Sequence, residues 1–158
     1  MKTVARKLGS WPATLMVALA MVVYVVISAV PLSAFWFEAG RFEISDAIDG
    51  ESPSIIFERW IKRDVNMSYS VTIRNVDDSM LIVCDAQVGP FTYSADTTPV
   101  GPGALRKDLG WWANDECNNL PVGNYRIDTC WTARNLIFSL APLKTTCTGA
   151  HFFSIKRS

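Results

Sequence analysis

Hydrophobic and polar positions follow two different patterns along the chain. Residues 8–37 contain no Asp, Glu, Lys, Arg or His, whereas the remaining sequence is built from short apolar runs separated by polar ones. At a helical rise of about 1.5 Å per residue, the apolar core at 13–30 crosses most of a hydrocarbon layer of roughly 30 Å. We therefore predict a transmembrane signal-anchor helix at 11–37, preceded by a cytoplasmic basic tail at 1–10.

The charges around this stretch predict its orientation. Lys2, Arg6 and Lys7 precede it, and all fifteen acidic residues follow it. This asymmetry indicates a cytoplasmic N-terminus and a periplasmic or extracellular C-terminal domain. Trp11 and Trp36 stand at the two ends of the stretch, where we expect them to lie at the membrane interfaces.

The alternative is a cleaved export signal, which would leave a secreted protein. Small residues at 27–29 and 32–34 resemble cleavage sites, and Pro31 precedes the second. The apolar core of a signal peptide usually runs for about 7–15 residues, and this one is longer. We therefore favour the anchor, which contacts the lipid bilayer through residues 11–37.

After residue 37 the sequence has the pattern of a β protein. Residues 67–74 alternate apolar and polar positions, which predicts a strand with one wet face, and 80–88 follows a polar turn as its hairpin partner. Further short runs predict strands at 41–48, 54–63, 91–95, 125–131, 136–140 and 151–155. Seven or eight short strands without an amphipathic helix favour an all-β ectodomain, an antiparallel sandwich occupying 38–158.

The most specific local motif is LPVGNYRIDTCW at residues 120–131. It resembles the LPxGxY segment of fibronectin type III and other immunoglobulin-like sandwiches. The resemblance implies an immunoglobulin-like fold in which Tyr125 forms a tyrosine corner. No cysteine stands two residues after Tyr125, so the inter-sheet disulfide of antibody domains is not implied. The overall plan is also similar to small single-span envelope proteins of bacteria and phages, a likeness that supplies no site residues.

All four cysteines lie in the exported part of the chain, at Cys84, Cys117, Cys130 and Cys147. An even number in an oxidising compartment predicts two disulfides. We favour pairs Cys84–Cys117 and Cys130–Cys147, each joining a strand to the segment that follows it, although four cysteines allow three connectivities. Free thiols or a zinc site are the alternatives. The sequence has no CxxC pair and only one histidine, so we expect no metal and no cofactor.

Charge and motifs narrow the class of function. Beyond the first 37 residues, twelve Lys and Arg stand against fifteen Asp and Glu. Such a mildly acidic domain is a poor candidate for binding nucleic acid. The chain has no GxSxG, HExxH, P-loop or dinucleotide motif, and we interpret His151 as a structural residue. We therefore predict that the protein is not an enzyme.

Two kinds of binding protein remain. The first hypothesis is an accessory component of the cell envelope whose sandwich binds another protein. The alternative is a carbohydrate or cell-wall binding module in which Trp60, Trp111 and Trp112 stack against sugar rings. For the adjacent pair Trp111–Trp112 a structural interpretation competes, in which one indole fills the core and the other covers a loop.

Overall fold

The fold is built from two β-sheets that follow an N-terminal helix. A computed structural model describes residues 11–95, 105–134 and 143–157. Its helical elements are α1 (Trp11–Ala29), α2 (Leu32–Phe35), α3 (Leu109–Trp112) and a 3-10 turn (Asp115–Asn118). Its strands are β1 (Phe37–Ile44), β2 (Ala47–Ile48), β3 (Ser54–Ile61), β4 (Val65–Asn75), β5 (Leu81–Tyr93), β6 (Leu105–Asp108), β7 (Gly123–Arg134), β8 (Lys144–Cys147) and β9 (His151–Lys156).

The prediction of one continuous helix over 11–37 is wrong at its C-terminal end. The helix stops at Ala29, two residues before Pro31, whose ring disfavours a helical conformation in the residue that precedes it. A single turn, α2, follows, and β1 begins at Phe37. Trp36, expected at a membrane interface, is only 8% exposed and packs in the core. Within the described residues, no helix combines the length and the hydropathy needed to span a membrane.

The strands form two sheets. The smaller sheet has the order β1-β3-β6, and the larger has the order β2-β9-β7-β4-β5, with β8 also paired to β7. Neighbouring strands are antiparallel except β2 and β9. The centre of the larger sheet is the long ladder between β4 and β7, which runs from Asn66 opposite Arg134 to Asn75 opposite Tyr125.

The core between the sheets is rich in aromatic rings. Phe57 of β3 stacks on Trp131 of β7 with the ring centroids 4.8 Å apart, and Trp112 meets Phe57 edge-on at 5.2 Å. Trp112 also donates a hydrogen bond from Nε1 to Thr129 Oγ1 at 3.2 Å, so its polar atom is satisfied where it is buried. These contacts fix how the two sheets face each other.

The strand predictions succeed best where one face of a strand is wet. The β4–β5 hairpin predicted at 67–74 and 80–88 is confirmed, but β5 is longer because it continues through Gly89 and Pro90 into the segment predicted as a separate strand at 91–95. The first predicted strand, 41–48, is divided between β1 and β2. The strand predicted at 136–140 lies outside the described residues.

Both favoured disulfides are confirmed. Cys84 of β5 is bonded to Cys117 in the 3-10 turn, and Cys130 of β7 is bonded to Cys147 of β8. The first bridge ties the edge strand of the larger sheet to the segment after α3. The second links directly opposed positions on two paired strands.

The C-terminal end of α1 is joined to the sheets by a buried lysine. Lys144 on β8 donates hydrogen bonds from Nζ to the carbonyl oxygens of Ile27, Ser28 and Val30, at 2.8, 2.5 and 2.5 Å. Its position favours the interaction, because the last carbonyls of a helix lack partners and carry partial negative charge. The helix therefore meets the sheets at the end where β8 lies.

Candidate functional site

The two ends of the larger sheet differ in their surroundings. We call the end beside α1 and β8 the proximal end, and the opposite end, which holds the β4–β5 turn and the turn before β7, the distal end. Along β7 the proximal end corresponds to Ala133, opposite Lys144, and the distal end to Gly123, opposite Ile155. Ten residues of extended strand separate them, a distance of about 33 Å.

The two distal turns are bonded to each other. The backbone N–H of Val76 donates to Asn124 O at 2.8 Å, and the backbone N–H of Asn124 donates to Asp77 Oδ2 at 2.8 Å. Asn124 Nδ2 also lies 3.1 and 3.2 Å from the two carboxylate oxygens of Asp77. These hydrogen bonds from Asn124 hold the pKa of Asp77 below its usual value.

Tyr125 fixes the second distal turn. Its hydroxyl donates to Pro121 O at 2.6 Å, which is the hydrogen bond that a tyrosine corner makes to the backbone just upstream. Its ring stacks on Phe153 of β9 with the centroids 5.4 Å apart. Burial raises the pKa of Tyr125, so the phenol stays protonated and can donate this bond at neutral pH.

An apolar surface surrounds these turns. We define the distal patch as five exposed apolar side chains in the two turns or at the start of β5, which are Val76 (38% exposed), Leu81 (56%), Ile82 (52%), Val83 (36%) and Val122 (43%). Leu81 lies opposite Asn75 in the β4–β5 ladder, and Val76 is bonded to the turn that contains Val122, so the members come from adjoining segments. Exposed apolar groups that cluster on a rigid base are typical of a binding surface.

The backbone of this end is also suited to binding. Ser79 and Met80 adopt left-handed conformations, with φ angles of 48° and 64°, which non-glycine residues hold only where the surrounding structure imposes it. The strand that follows, β5, is the last in its sheet among the described residues, so one side of its backbone has no neighbouring strand there. Such an edge can accept a strand from another chain.

The three tryptophans predicted as a stacking platform are not brought together. Trp112 is only 3% exposed and belongs to the core, whereas Trp111 is 52% exposed. Trp60 lies on β3 opposite Glu38, away from the cleft that Trp111 lines. Of the pair Trp111–Trp112, Trp112 is therefore the indole that fills the core, as the structural interpretation expected of one of them.

A cleft beside Trp111 was not expected from the sequence. This cleft, which we call the aromatic cleft, has a volume of about 370 Å³. It is lined by Arg59, Tyr69, Val88, Phe91, Tyr93, Leu105, Trp111, Trp112 and Trp131. These residues come from β3, β4, β5, β6, α3 and β7, so no local motif could reveal the cleft. The available signal was the alternation of β4, which predicts that Tyr69 points into the sandwich.

His151 lies at the start of β9 and is partly buried. Its ring packs 4.7 Å from that of Phe42, and partial burial lowers the pKa of its imidazole. Among the described residues, no group of three or more His, Cys, Asp and Glu side chains is placed to hold a metal ion.

The fold places the chain in a broad class, that of mostly β proteins with two sheets and two disulfides. No protein-family model matches the chain, and no curated protein matches it in sequence.

Proposed function

We propose that this chain is a membrane-anchored, extracytoplasmic binding protein whose immunoglobulin-like domain binds another protein of the cell envelope through the distal patch. The observation that carries the proposal is the patch itself. Exposed apolar side chains lie in two turns that are bonded to each other and at the start of β5, about 33 Å along β7 from the end of the sheet where the helix lies. A domain tethered at one end and apolar at the other is suited to meeting a partner above the membrane.

Strand order supports the immunoglobulin-like assignment. In variable-type domains the strand called C′ extends the sheet of strands G, F and C. The order β9-β7-β4-β5 corresponds to G-F-C-C′, and β1-β3-β6 corresponds to A-B-E. The hydroxyl of Tyr125 bonds upstream at the start of β7, where strand F of this family carries its tyrosine corner.

The proposed anchor rests on the surface of α1 and on the sequence around it. Side chains 13–26 of this helix are all exposed, and they are apolar except Thr14. So large an apolar surface is unfavourable in water and is stabilised by lipid. The uncharged stretch of sequence, residues 8–37, extends beyond both ends of α1. Two disulfides favour an oxidising, extracytoplasmic location for the sheets.

The junction favours an anchor that is not cleaved. Cleavage after Ala29 would remove two of the three carbonyl groups that Lys144 binds, and cleavage after Ala34 would also remove Leu32 from the core. Either cut would remove hydrogen bonds that hold Lys144 against the end of α1. We therefore propose a cytoplasmic N-terminus and a sandwich on the far side of the membrane.

Site-specific photocrosslinking in native membranes tests the role of the distal patch. A photoreactive amino acid is placed at Ile82 or at Val122, and a matched control carries it at Leu143, an apolar residue that precedes β8 at the proximal end and is 65% exposed. We expect the two distal positions to yield the same protein adduct and position 143 to yield none.

A double variant, Leu81→Lys with Ile82→Lys, should abolish the adduct formed from position 122. A non-reducing gel and tryptophan fluorescence check that this variant keeps its disulfides and its core. Equal adducts from all three positions, or no adduct from the distal ones, would contradict the proposal.

A further inference from the structure

In the part of the chain that the structure describes, the aromatic cleft opens where the smaller sheet ends on one side. Strand β6 pairs with β3 only from Ser54 to Phe57, so in the described part of the chain Arg59 has no strand neighbour on that side. On the opposite sheet, β5 ends near the same level with Tyr93 paired to Val65. The gap between these two edges is the mouth of the cleft.

Aromatic rings form most of the cleft surface. Trp112, Trp131 and Tyr69 are buried and form its base. Trp111 and Phe91 are exposed and stand at its mouth, with exposed fractions of 52% and 46%. Small-ligand sites are mostly apolar and begin at about 300 Å³, so this volume of about 370 Å³ suits one or two sugar-sized rings.

The charges at the cleft have one sign. The guanidinium carbon of Arg59 lies 5.1 Å from the centre of the Tyr93 ring, and Lys107 Nζ lies 4.6 Å from the centre of the Trp111 ring. Among the residues that the structure describes, no carboxylate lines the cleft and Arg59 forms no ion pair. A guanidinium with free donors is matched by a carboxylate, which it can bind through two parallel hydrogen bonds.

Two phenols add hydrogen-bond donors. Burial raises the pKa of Tyr69 to about 12 and also raises that of Tyr93, so both hydroxyls remain protonated. Neither hydroxyl has a hydrogen-bond partner among the described residues. As protonated phenols, both can donate hydrogen bonds to a ligand with many oxygen atoms.

We propose that this cleft binds a sugar ring that carries a carboxylate, as part of an acidic saccharide. The apolar face of the ring packs against Trp111, and the carboxylate pairs with Arg59. A neutral sugar would pack against the aromatic rings but would leave the Arg59 guanidinium without a carboxylate. A simple aromatic acid would supply the carboxylate but would have no sugar hydroxyl groups to bond to the two phenols. The aromatic cleft is separate from the distal patch. The proposal therefore adds a saccharide ligand to the protein partner proposed for the distal patch.

Binding is measured with the full chain in detergent micelles. Trigalacturonate is titrated against the protein while tryptophan fluorescence and heat are recorded, and neutral galactotriose and benzoate serve as comparison ligands. We expect saturable binding of trigalacturonate at least tenfold tighter than that of either comparison ligand. Equal affinity for galactotriose or benzoate, or no saturation with trigalacturonate, would overturn the proposal.

Variants assign the binding to the cleft. Arg59→Gln should weaken trigalacturonate binding at least tenfold, Arg59→Lys should weaken it less, and Trp111→Ala should weaken binding of both sugars. Trp60→Ala is the matched control, because Trp60 is partly exposed on β3 but lies outside the cleft, and it should leave the affinity unchanged.

Unchanged affinity in Arg59→Gln, with its disulfides intact, would also overturn the proposal. Crosslinking from position 82 should persist in this variant, so the two proposals fail separately.

Discussion

Lys144 should contribute more to stability than any exposed lysine of the chain. Its side chain is 8% exposed, and its ammonium group binds three carbonyl oxygens at the end of α1. Substitution Lys144→Met keeps the length of the side chain and removes the charge and the donors. Because the carbonyl groups then lose their partners, we expect the junction between helix and sheets to loosen.

The size of the effect follows from opposing contributions. A hydrogen bond to a charged group contributes about 1.5–3 kcal/mol, so three such bonds set an upper bound of roughly 5–9 kcal/mol. Removing the ammonium also relieves the cost of burying it, several kcal/mol, and water can reach part of the freed backbone. We therefore expect Lys144→Met to lower the free energy of unfolding by about 2–4 kcal/mol.

The measurement is denaturant unfolding of the full chain in detergent micelles, followed by tryptophan fluorescence. Lys156→Met is the matched control, because Lys156 pairs with Asp46 at 2.6 Å but both side chains are largely exposed. An exposed pair contributes at most about 1 kcal/mol. Equal midpoints for Lys144→Met and the unmodified chain, or equal losses in the two variants, would refute the role given to Lys144.

Two further predictions concern the distal turns. Tyr125→Phe removes only the hydroxyl that donates to Pro121, so the free energy of unfolding should fall by about 1 kcal/mol, and an unchanged denaturation midpoint would contradict this. Hydrogen bonds from Asn124 lower the pKa of Asp77 in the folded chain below the ordinary value of 3.8. The ionised carboxylate therefore stabilises the fold above pH 3.8, and this stabilisation is lost as the pH falls through the lowered pKa of the folded state. Asp77→Asn should therefore melt at a lower temperature than the unmodified chain at pH 7, with a difference that shrinks towards pH 2.5; a constant difference would count against the carboxylate.

Sequence alternation predicts the strands that have one wet face. The segment 67–74 is recognised because Met67, Val71 and Ile73 enter the core at alternating positions, although the polar Ser68 is also buried. Alternation predicts a strand at 91–95 but does not show that it continues β5, which runs through Gly89 and Pro90 past an irregularity in its pairing with β4. Strand continuity there depends on a neighbouring strand, which a local pattern does not contain.

The tryptophans show a second limit of sequence reasoning. Trp111 and Trp112 are adjacent and chemically identical, but only Trp112 reaches Thr129 and the rings of the core. Which indole is buried depends on where α3 meets β3 and β7. For the same reason the aromatic cleft could not be predicted, since its rings come from strands that are distant in sequence.

The end of α1 shows how one uncharged stretch of sequence divides between an exposed helix and the protein core. Residues 32–37 are as free of charge as residues 13–30, yet Leu32, Trp36 and Phe37 pack in the protein core. Composition alone therefore does not mark the boundary between the helix and the core. The boundary is marked by Pro31, close to the end of the helix, and by Lys144, whose ammonium binds the carbonyl groups exposed there. Because the residues after Pro31 are part of the folded sheets, the helix is attached to the domain by packing as well as by the chain.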